Sequence, residues 1–193
     1  MYTKGKKVIL GSNSPRRKEL LAGLDIDFEV DTENNFEETY SPDIPHESIP
    51  EILSEGKFHG FHRELADDEI LITSDTLVLC GDRVMGKPHS REEAYDMLRF
   101  LSGREHKVIT AVTIRDRQTT STSSDTAIVH FKELSDNEIY YYIDKFKPYD
   151  KAGAYGIQEW IGYIGIEKIE GSYFTIMGFP VHLVYQELLK FIG

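Results

Sequence analysis

Val8-Ile9-Leu10-Gly11-Ser12-Asn13-Ser14-Pro15-Arg16-Arg17 sets a short apolar run, a polar turn and two arginines in succession. The residues that follow, Lys18-Glu19-Leu20-Leu21-Ala22-Gly23-Leu24, carry apolar side chains at helical spacing. The stretch reads as strand, tight turn, helix. Ser14 suits the N-cap, because its hydroxyl can accept from a free N–H of the first turn, and Pro15 suits the first helical position, where a missing N–H costs nothing. Free N–H groups and the positive end of the helix dipole attract anions at such a start. Arg16 and Arg17 oppose that dipole. Either they serve an anionic ligand, whose oxygens a guanidinium fork matches, or they are solvated cations on a well-capped helix.

Outward from this unit the pattern alternates between helix and strand, which favours an α/β fold. Asp27-Phe28-Glu29-Val30 reads as a strand, and the polar stretch from Asp31 to Pro50 reads as a long functional loop. A helix is expected over Ser48–Leu65, weakened slightly by Gly56. Its Lys57 lies among apolar neighbours, where a lysine ordinarily snorkels to water. Ile70 to Cys80 is the most strand-like run in the chain, nearly continuous in apolar residues as in a strand covered on both faces. Ser74-Asp75-Thr76 interrupts it, and a carboxylate there is costly unless it is paired or meets a ligand.

Gly81-Asp82 signals a hairpin turn returning through Arg83-Val84-Met85. Gly86-Lys87-Pro88 follows, and it lacks the glycine-rich frame and the Ser/Thr of a P-loop. Ser90 with Glu93 predicts a capping box for a helix reaching Leu101, and Ser135 with Glu138 predicts another for a helix reaching Phe146. Between them, Lys107–Ile114 and Ser121–Phe131 read as strands joined by a hairpin connection. Tyr140-Tyr141-Tyr142 is read as partly buried helix tyrosines. Pro148 to Gln158 is a loop rich in small residues, which let a backbone approach a ligand closely. Tyr163–Ile169 looks strand-like, Gly171-Ser172 turns, Tyr173–Met177 follows, and an apolar helix closes the chain after Pro180. His59 and His62 lack partner ligands at metal-binding spacing and read as surface residues.

With 193 residues, 40% of them hydrophobic, the chain has the material for one domain or two closely joined lobes. No apolar run approaches the roughly 18 residues of a membrane span. The basic start, Met1 to Lys7, lacks the apolar segment and cleavage site of a secretion signal. Cys80 is the only cysteine, which excludes an intrachain disulfide and fits a reducing cytoplasm. The formal net charge of −11 argues against broad binding to nucleic acid or to an anionic membrane. An anionic small ligand then needs a local basic cluster.

Four separated segments, in order, resemble the Maf family of nucleoside triphosphate pyrophosphatases: Ser12-Asn13-Ser14-Pro15-Arg16-Arg17; Ser74-Asp75-Thr76 with Gly86-Lys87-Pro88; Leu101-Ser102-Gly103-Arg104; and Asp150-Lys151-Ala152-Gly153-Ala154-Tyr155-Gly156-Ile157-Gln158. Gly171-Ser172-Tyr173 and Gly178-Phe179-Pro180 also fit, so the similarity runs along practically the whole chain, 1–193. The resemblance implies one domain of the Maf and inosine triphosphatase type: an elongated α/β fold whose mixed twisted sheet divides it into two lobes, with the active cleft between them. It implies hydrolysis of a nucleoside triphosphate to the monophosphate and pyrophosphate with a divalent cation, Mg²⁺ or Mn²⁺. The form of the fourth segment is similar to the branch acting on dTTP and UTP. It allows a homodimer.

Carried over by motif are Asp75, Lys87, Lys57 and Glu38 as catalytic residues, with Asp75 the general base and Asp75 and Glu38 the metal pair. Glu37 stands beside Glu38 and competes for its role. Ser12, Arg16, Arg17, Thr76 and Gln158 are carried over as substrate-binding, with Thr76 and Arg16 as further specificity positions. The Gln158 amide can donate to O4 and accept from N3–H of uracil or thymine, provided something pins its orientation. Gly11, Gly56, Phe58, Ser74 and Glu159-Trp160 depart from the family's usual residues. A second class, a nucleotide-binding regulator of cell-division arrest with incidental hydrolysis, would need no base at Asp75. A nucleic-acid binder is disfavoured by the charge.

Overall fold

The computed structural model describes residues 3–192; Met1 and Tyr2 of the basic start, and Gly193, lie outside the described residues. The opening stretch forms β1 (Lys7–Leu10) and α1 (Pro15–Ala22), with the Ser14 hydroxyl accepting from Arg17 N–H as N-cap and Pro15 at the first helical position. The chain continues through β2 (Phe28–Val30), α2 (Ile49–His59), β3 (Glu69–Cys80), β4 (Arg83–Met85), α3 (Arg91–Leu101), β5 (Glu105–Arg115) and β6 (Thr120–Phe131). It ends with α4 (Asp136–Phe146), α5 (Trp160–Gly165), β7 (Ile166–Glu170), α6 (Tyr173–Met177) and α7 (Val181–Ile192). Single 3-10 turns stand at His46–Ser48 and Ala152–Ala154.

The strands form one mixed sheet in the order β2-β1-β3-β5-β6-β7, with β4 on β3. β1 pairs in parallel with β2 and with β3, whereas β3–β4 and β6–β7 are antiparallel. The protein is therefore mixed α/β. It packs as two units, one drawn from Met1–Asp75, Thr110–Asp125 and Gly178–Gly193, the other from Thr76–Ile109 and Thr126–Met177.

In the first unit, α1 and α2 are the connections that parallel strands require. Ile9, Phe58, Leu65 and Leu71 form a buried cluster joined by Phe61. Buried polar side chains fix α2. Thr73 Oγ1 donates to the Ser54 carbonyl at 2.8 Å, and the Ser54 hydroxyl lies 3.2 Å from the Thr73 carbonyl and 2.9 Å from Thr113 Oγ1. On α7, Glu187 accepts from Ser121 at 2.6 Å and pairs with Lys190 at 2.7 Å.

The second unit ties α3 to α4 by a two-bond Arg91–Asp144 pair at 2.7 and 2.9 Å and by Tyr95 stacked on Tyr140. Its loop after Tyr149 is held by Gly153, whose N–H donates to Gly86 C=O at 3.0 Å. Gly153, at φ +69°, occupies the left-handed region, and a Cβ there would press on Val78.

Four expectations are corrected. The second helix stops at His59, not Leu65: Gly60 caps it, and Phe61 pairs with Asn34 as an isolated bridge. Tyr163–Gly165, expected as strand, completes a helical turn over Trp160–Gly165 that buries Ile161 and leaves Tyr163 83% exposed, and the strand begins only at Ile166. Tyr173–Met177, expected to follow the Gly171-Ser172 turn as a further strand-like piece, is helical. Ser90 caps α3 through Glu93 N–H, but the Glu93 carboxylate accepts from His89 N–H, so the box at Ser90 is half made. At Ser135 both halves form.

Candidate active site

In the first unit the polar interruption of β3 is answered by α2. Thr73 and Asp75 are two apart on a strand and so face the same side, while Ser54 and Lys57 are three apart on a helix and so stand on one face. The Ser54–Thr73 lock therefore sets Lys57 opposite Asp75. Lys57 Nζ lies 2.5 Å from Asp75 Oδ1 and 3.0 Å from Glu38 Oε1. Asp75 is nearly enclosed, with a side chain 12% exposed, while that of Glu38 is 58% exposed. Lys57 is thus an ion-paired lysine, not a snorkelling one.

Glu38, rather than Glu37, reaches Lys57, and the reason lies in α2. The ring of Phe36 lies where a Cβ on Gly56 would be, and Asn34 with the Phe36 backbone occupies the same space at Gly60. Asn34 donates to the Lys57 carbonyl and accepts from Phe36 N–H at 2.8 Å, while Asn35 N–H donates to Gly60 C=O at 2.7 Å. Two glycines one turn apart admit the acidic loop onto the helix. The departure at Gly56 has this cause.

Arg17 spans three segments: Nε donates to Gly178 C=O at 2.9 Å, and Nη1 donates to Ser74 C=O at 2.9 Å and to Ser12 Oγ at 3.4 Å. Burial pulls its pKa below the usual arginine value, and the charge of Asp75 opposes that. Ser12 Oγ is buried and also accepts from Ser14 N–H at 3.3 Å. Arg16 follows Pro15 in the first turn of α1 and is half-buried. Ser12, Arg17, Glu38, Lys57 and Asp75 are thereby brought together.

Two carboxylates that converge on one ammonium are hard oxygen donors suited to a divalent cation, with phosphate oxygens completing its shell. Among the described residues no group of three or more His, Cys, Asp or Glu could hold a metal ion by protein ligands alone. The expected pair Asp75 and Glu38 fits a cation shared with a phosphorylated ligand. His59 is exposed, and His62 pairs with Asp31 at 3.0 Å and Glu33 at 3.6 Å.

Thr76, Lys87 and Gln158 belong to the second unit. Thr76 is half-buried on β3, and Lys87 is exposed beside Gly86, which accepts from Gly153. Gln158 is half-buried, and its Oε1 is enclosed with no hydrogen-bond partner among the described residues. A buried acceptor in that state costs about 1–3 kcal/mol, which a donor on a ligand would relieve. The Tyr142 hydroxyl accepts from Gly156 N–H at 2.9 Å and donates to Glu159 Oε2, while Lys151 Nζ lies 3.1 Å from Glu159 Oε1. Burial first, and Glu159 second, push the Tyr142 phenol far above its ordinary pKa, so it keeps its proton. The run Tyr140-Tyr141-Tyr142 marks Tyr142 as a helix tyrosine and says nothing of this role, because the contact joins α4 to a distant loop.

An α/β protein with a carboxylate–lysine–carboxylate group, its Asp75 buried, beside an arginine and a capped helix start has the parts of a phosphate-handling site. The match to the family described as Maf-like protein spans residues 7–191, and the chain belongs to that family. It is 52% identical over 185 residues, 96% of each chain, to a Parabacteroides distasonis protein named dTTP/UTP pyrophosphatase. Proteins of the same name from Porphyromonas gingivalis (49%, covering 96% of this chain and 94% of the relative) and Bacteroides thetaiotaomicron (46%, 95% of each) are also similar. The solved structure titled "Structure of a HAM1 protein from Coxiella burnetii" covers 96% of this chain and 99% of its own at 12% identity, with a TM-score of 0.49.

Proposed function

We propose that the chain hydrolyses dTTP and UTP to the monophosphate and pyrophosphate, as the names of its relatives describe for them. The observation that carries the proposal is Lys57 held between Asp75 and Glu38, at 2.5 and 3.0 Å. Lys57 engages Asp75 Oδ1, and no hydrogen bond to Oδ2 is made among the described residues. In the proposed reaction water attacks the α-phosphorus in line with the leaving pyrophosphate and passes a proton to Asp75 Oδ2. The α–β phosphoanhydride breaks, and pyrophosphate leaves as the anion.

Lys57, Lys87, Arg16 and Arg17 offset the triphosphate charge, and Ser12 and the α1 amides add neutral donors. A divalent cation held by Asp75 and Glu38 would neutralise charge developing on the phosphate oxygens. In the second unit Gln158 Nε2 donates to O4 of uracil or thymine and Oε1, now unpartnered, accepts from N3–H. Cytosine reverses that pattern. The substrate is a free nucleotide, with no role for nucleic acid or membrane, and the expected location is the cytoplasm; no helix of the described residues is long and apolar enough to cross a membrane.

The deciding experiment is pyrophosphate release from a panel of nucleoside triphosphates with Mg²⁺ or Mn²⁺, wild type beside Asp75→Asn. Release from UTP and dTTP that falls about 10³-fold in the variant supports the proposal. Unchanged turnover in Asp75→Asn removes Asp75 as the base, and absence of release from every nucleotide removes the enzyme.

A further inference from the structure

Recognition by an amide works only if the amide cannot turn over, since a flipped Gln presents the complement of cytosine instead. The turn that carries Gln158 runs from Gly156 to Glu159 and is closed by Glu159 N–H donating to Gly156 C=O at 3.0 Å. Tyr142 bridges the two ends of this turn a second time: its hydroxyl accepts from Gly156 N–H at 2.9 Å and donates to the Glu159 carboxylate. The other Glu159 oxygen is taken by Lys151, a buried lysine that also meets Asp150 at 2.7 Å.

Three side chains crowd the turn. A Cβ at Gly156 would come within 3.0 Å of Glu159 Cδ, 3.0 Å of Lys151 Cε and 3.1 Å of Gln158 Nε2. The Gln158 amide nitrogen therefore lies against the same point that Tyr142 grips through the backbone. Tyr142 itself is fully buried and stacks on Phe146, so its hydroxyl is a fixed post.

We infer that Tyr142 is the positioning residue that pins Gln158 for base selection, acting through the two ends of the turn and with Glu159 as its partner. The inference rests on Gln158 being the residue that reads the base. It also gives Glu159, foreign to the usual family pattern, a purpose: its carboxylate is the second anchor of the clamp.

The test compares kcat/KM for UTP and CTP in the Mg²⁺-loaded enzyme and in Tyr142→Phe, Glu159→Ala, Glu159→Gln and Gln158→Ala. Tyr142→Phe is expected to cut the UTP-to-CTP ratio about tenfold, through a higher KM for UTP while kcat stays within about twofold. Glu159→Ala does the same and serves if Tyr142→Phe fails to fold. Glu159→Gln, whose one amide oxygen can still accept from the phenol while Lys151 keeps only Asp150, retains more of the ratio than Glu159→Ala. A purely structural role would lower both nucleotides in parallel with the ratio intact, and that result overturns the inference. If Gln158→Ala erases the ratio and Tyr142→Phe and Glu159→Ala do not, the clamp alone is wrong. If Gln158→Ala leaves the ratio unchanged, the assignment of Gln158 falls and the clamp with it.

Discussion

Ser54 and Thr73 hold each other across the junction of α2 and β3, Thr73 Oγ1 on the Ser54 carbonyl at 2.8 Å and the Ser54 hydroxyl 3.2 Å from the Thr73 carbonyl. Both are buried, so each partner lost leaves a polar group without water to replace it. Ser54→Ala and Thr73→Val are each expected to lower stability by about 1–2 kcal/mol in urea unfolding. The double variant should lose less than the sum, because the two bonds span one junction and losing either loosens the geometry of the other. Strict additivity would show that the lock does not couple helix to strand.

Gly56→Ala sets two effects of known size against each other. Alanine gains roughly 1 kcal/mol over glycine in a helix interior, whereas forcing a methyl group into packed atoms costs about 1–3 kcal/mol. The Phe36 ring stands where the methyl must go, so the clash should win. The midpoint of denaturation is expected to fall and KM for UTP to rise as Glu38 is carried away from Lys57. A stabilised variant with unchanged KM would refute the account of the acidic loop.

Chelation should stop turnover. With EDTA, pyrophosphate release from UTP is expected to drop to background and to return on adding Mg²⁺ in excess. Glu38→Gln should raise the Mg²⁺ concentration at half-maximal rate, since one of two hard donors has lost its charge. An unshifted Mg²⁺ dependence would remove Glu38 from the cation's ligands.

His106 supplies a pH dependence of stability. Its ring is enclosed against Phe131 and Tyr155, with Nε2 2.7 Å from the Tyr155 hydroxyl, and burial pulls its pKa down to about 3 from 6.5. Between those values the unfolded chain binds the extra proton, so this residue's contribution falls as pH drops below 6.5 and is flat above it. Over that window the slope is about 1 kcal/mol per pH unit. His106→Gln, which does not titrate, should show a shallower loss of urea stability than wild type between pH 6 and 4. Parallel curves would show that His106 is not buried neutral.

What the residues disclosed in advance was what depends on neighbours in the chain. Ser14-Pro15 dictated the start of α1, and the apolar run Ile70–Cys80 dictated a covered strand, because caps and periodicity are local. Asp75 stood out because an acid inside an apolar strand demands a partner, and Lys57 is that partner. The choice of Glu38 over Glu37 depended on where Phe36 lies, twenty residues from Gly56, and nothing local records that. Tyr142 was missed for the same reason, since its two partners belong to a loop fourteen and seventeen residues away. Tyr163–Gly165 reads as strand because Tyr163-Ile164 and Ile166 alternate as a strand would, while the turn at Glu159–Gly162 overrides them and the three residues complete a helical turn.

Arg17 bonds Gly178, 161 residues further along the chain, and Gly178 holds φ at +97°, where glycine is favoured. During synthesis the ribosome delivers Ser12, Arg17, Lys57 and Asp75 long before that carbonyl exists. The guanidinium gains that acceptor only once residue 178 has emerged. A nascent chain short of Gly178 therefore carries every charged group of the candidate site in the first unit with its arginine still short of that anchor, and hydrolytic competence is expected only after residue 178 has joined the fold. A chain ended at Met177 retains all nine proposed site residues and should be silent.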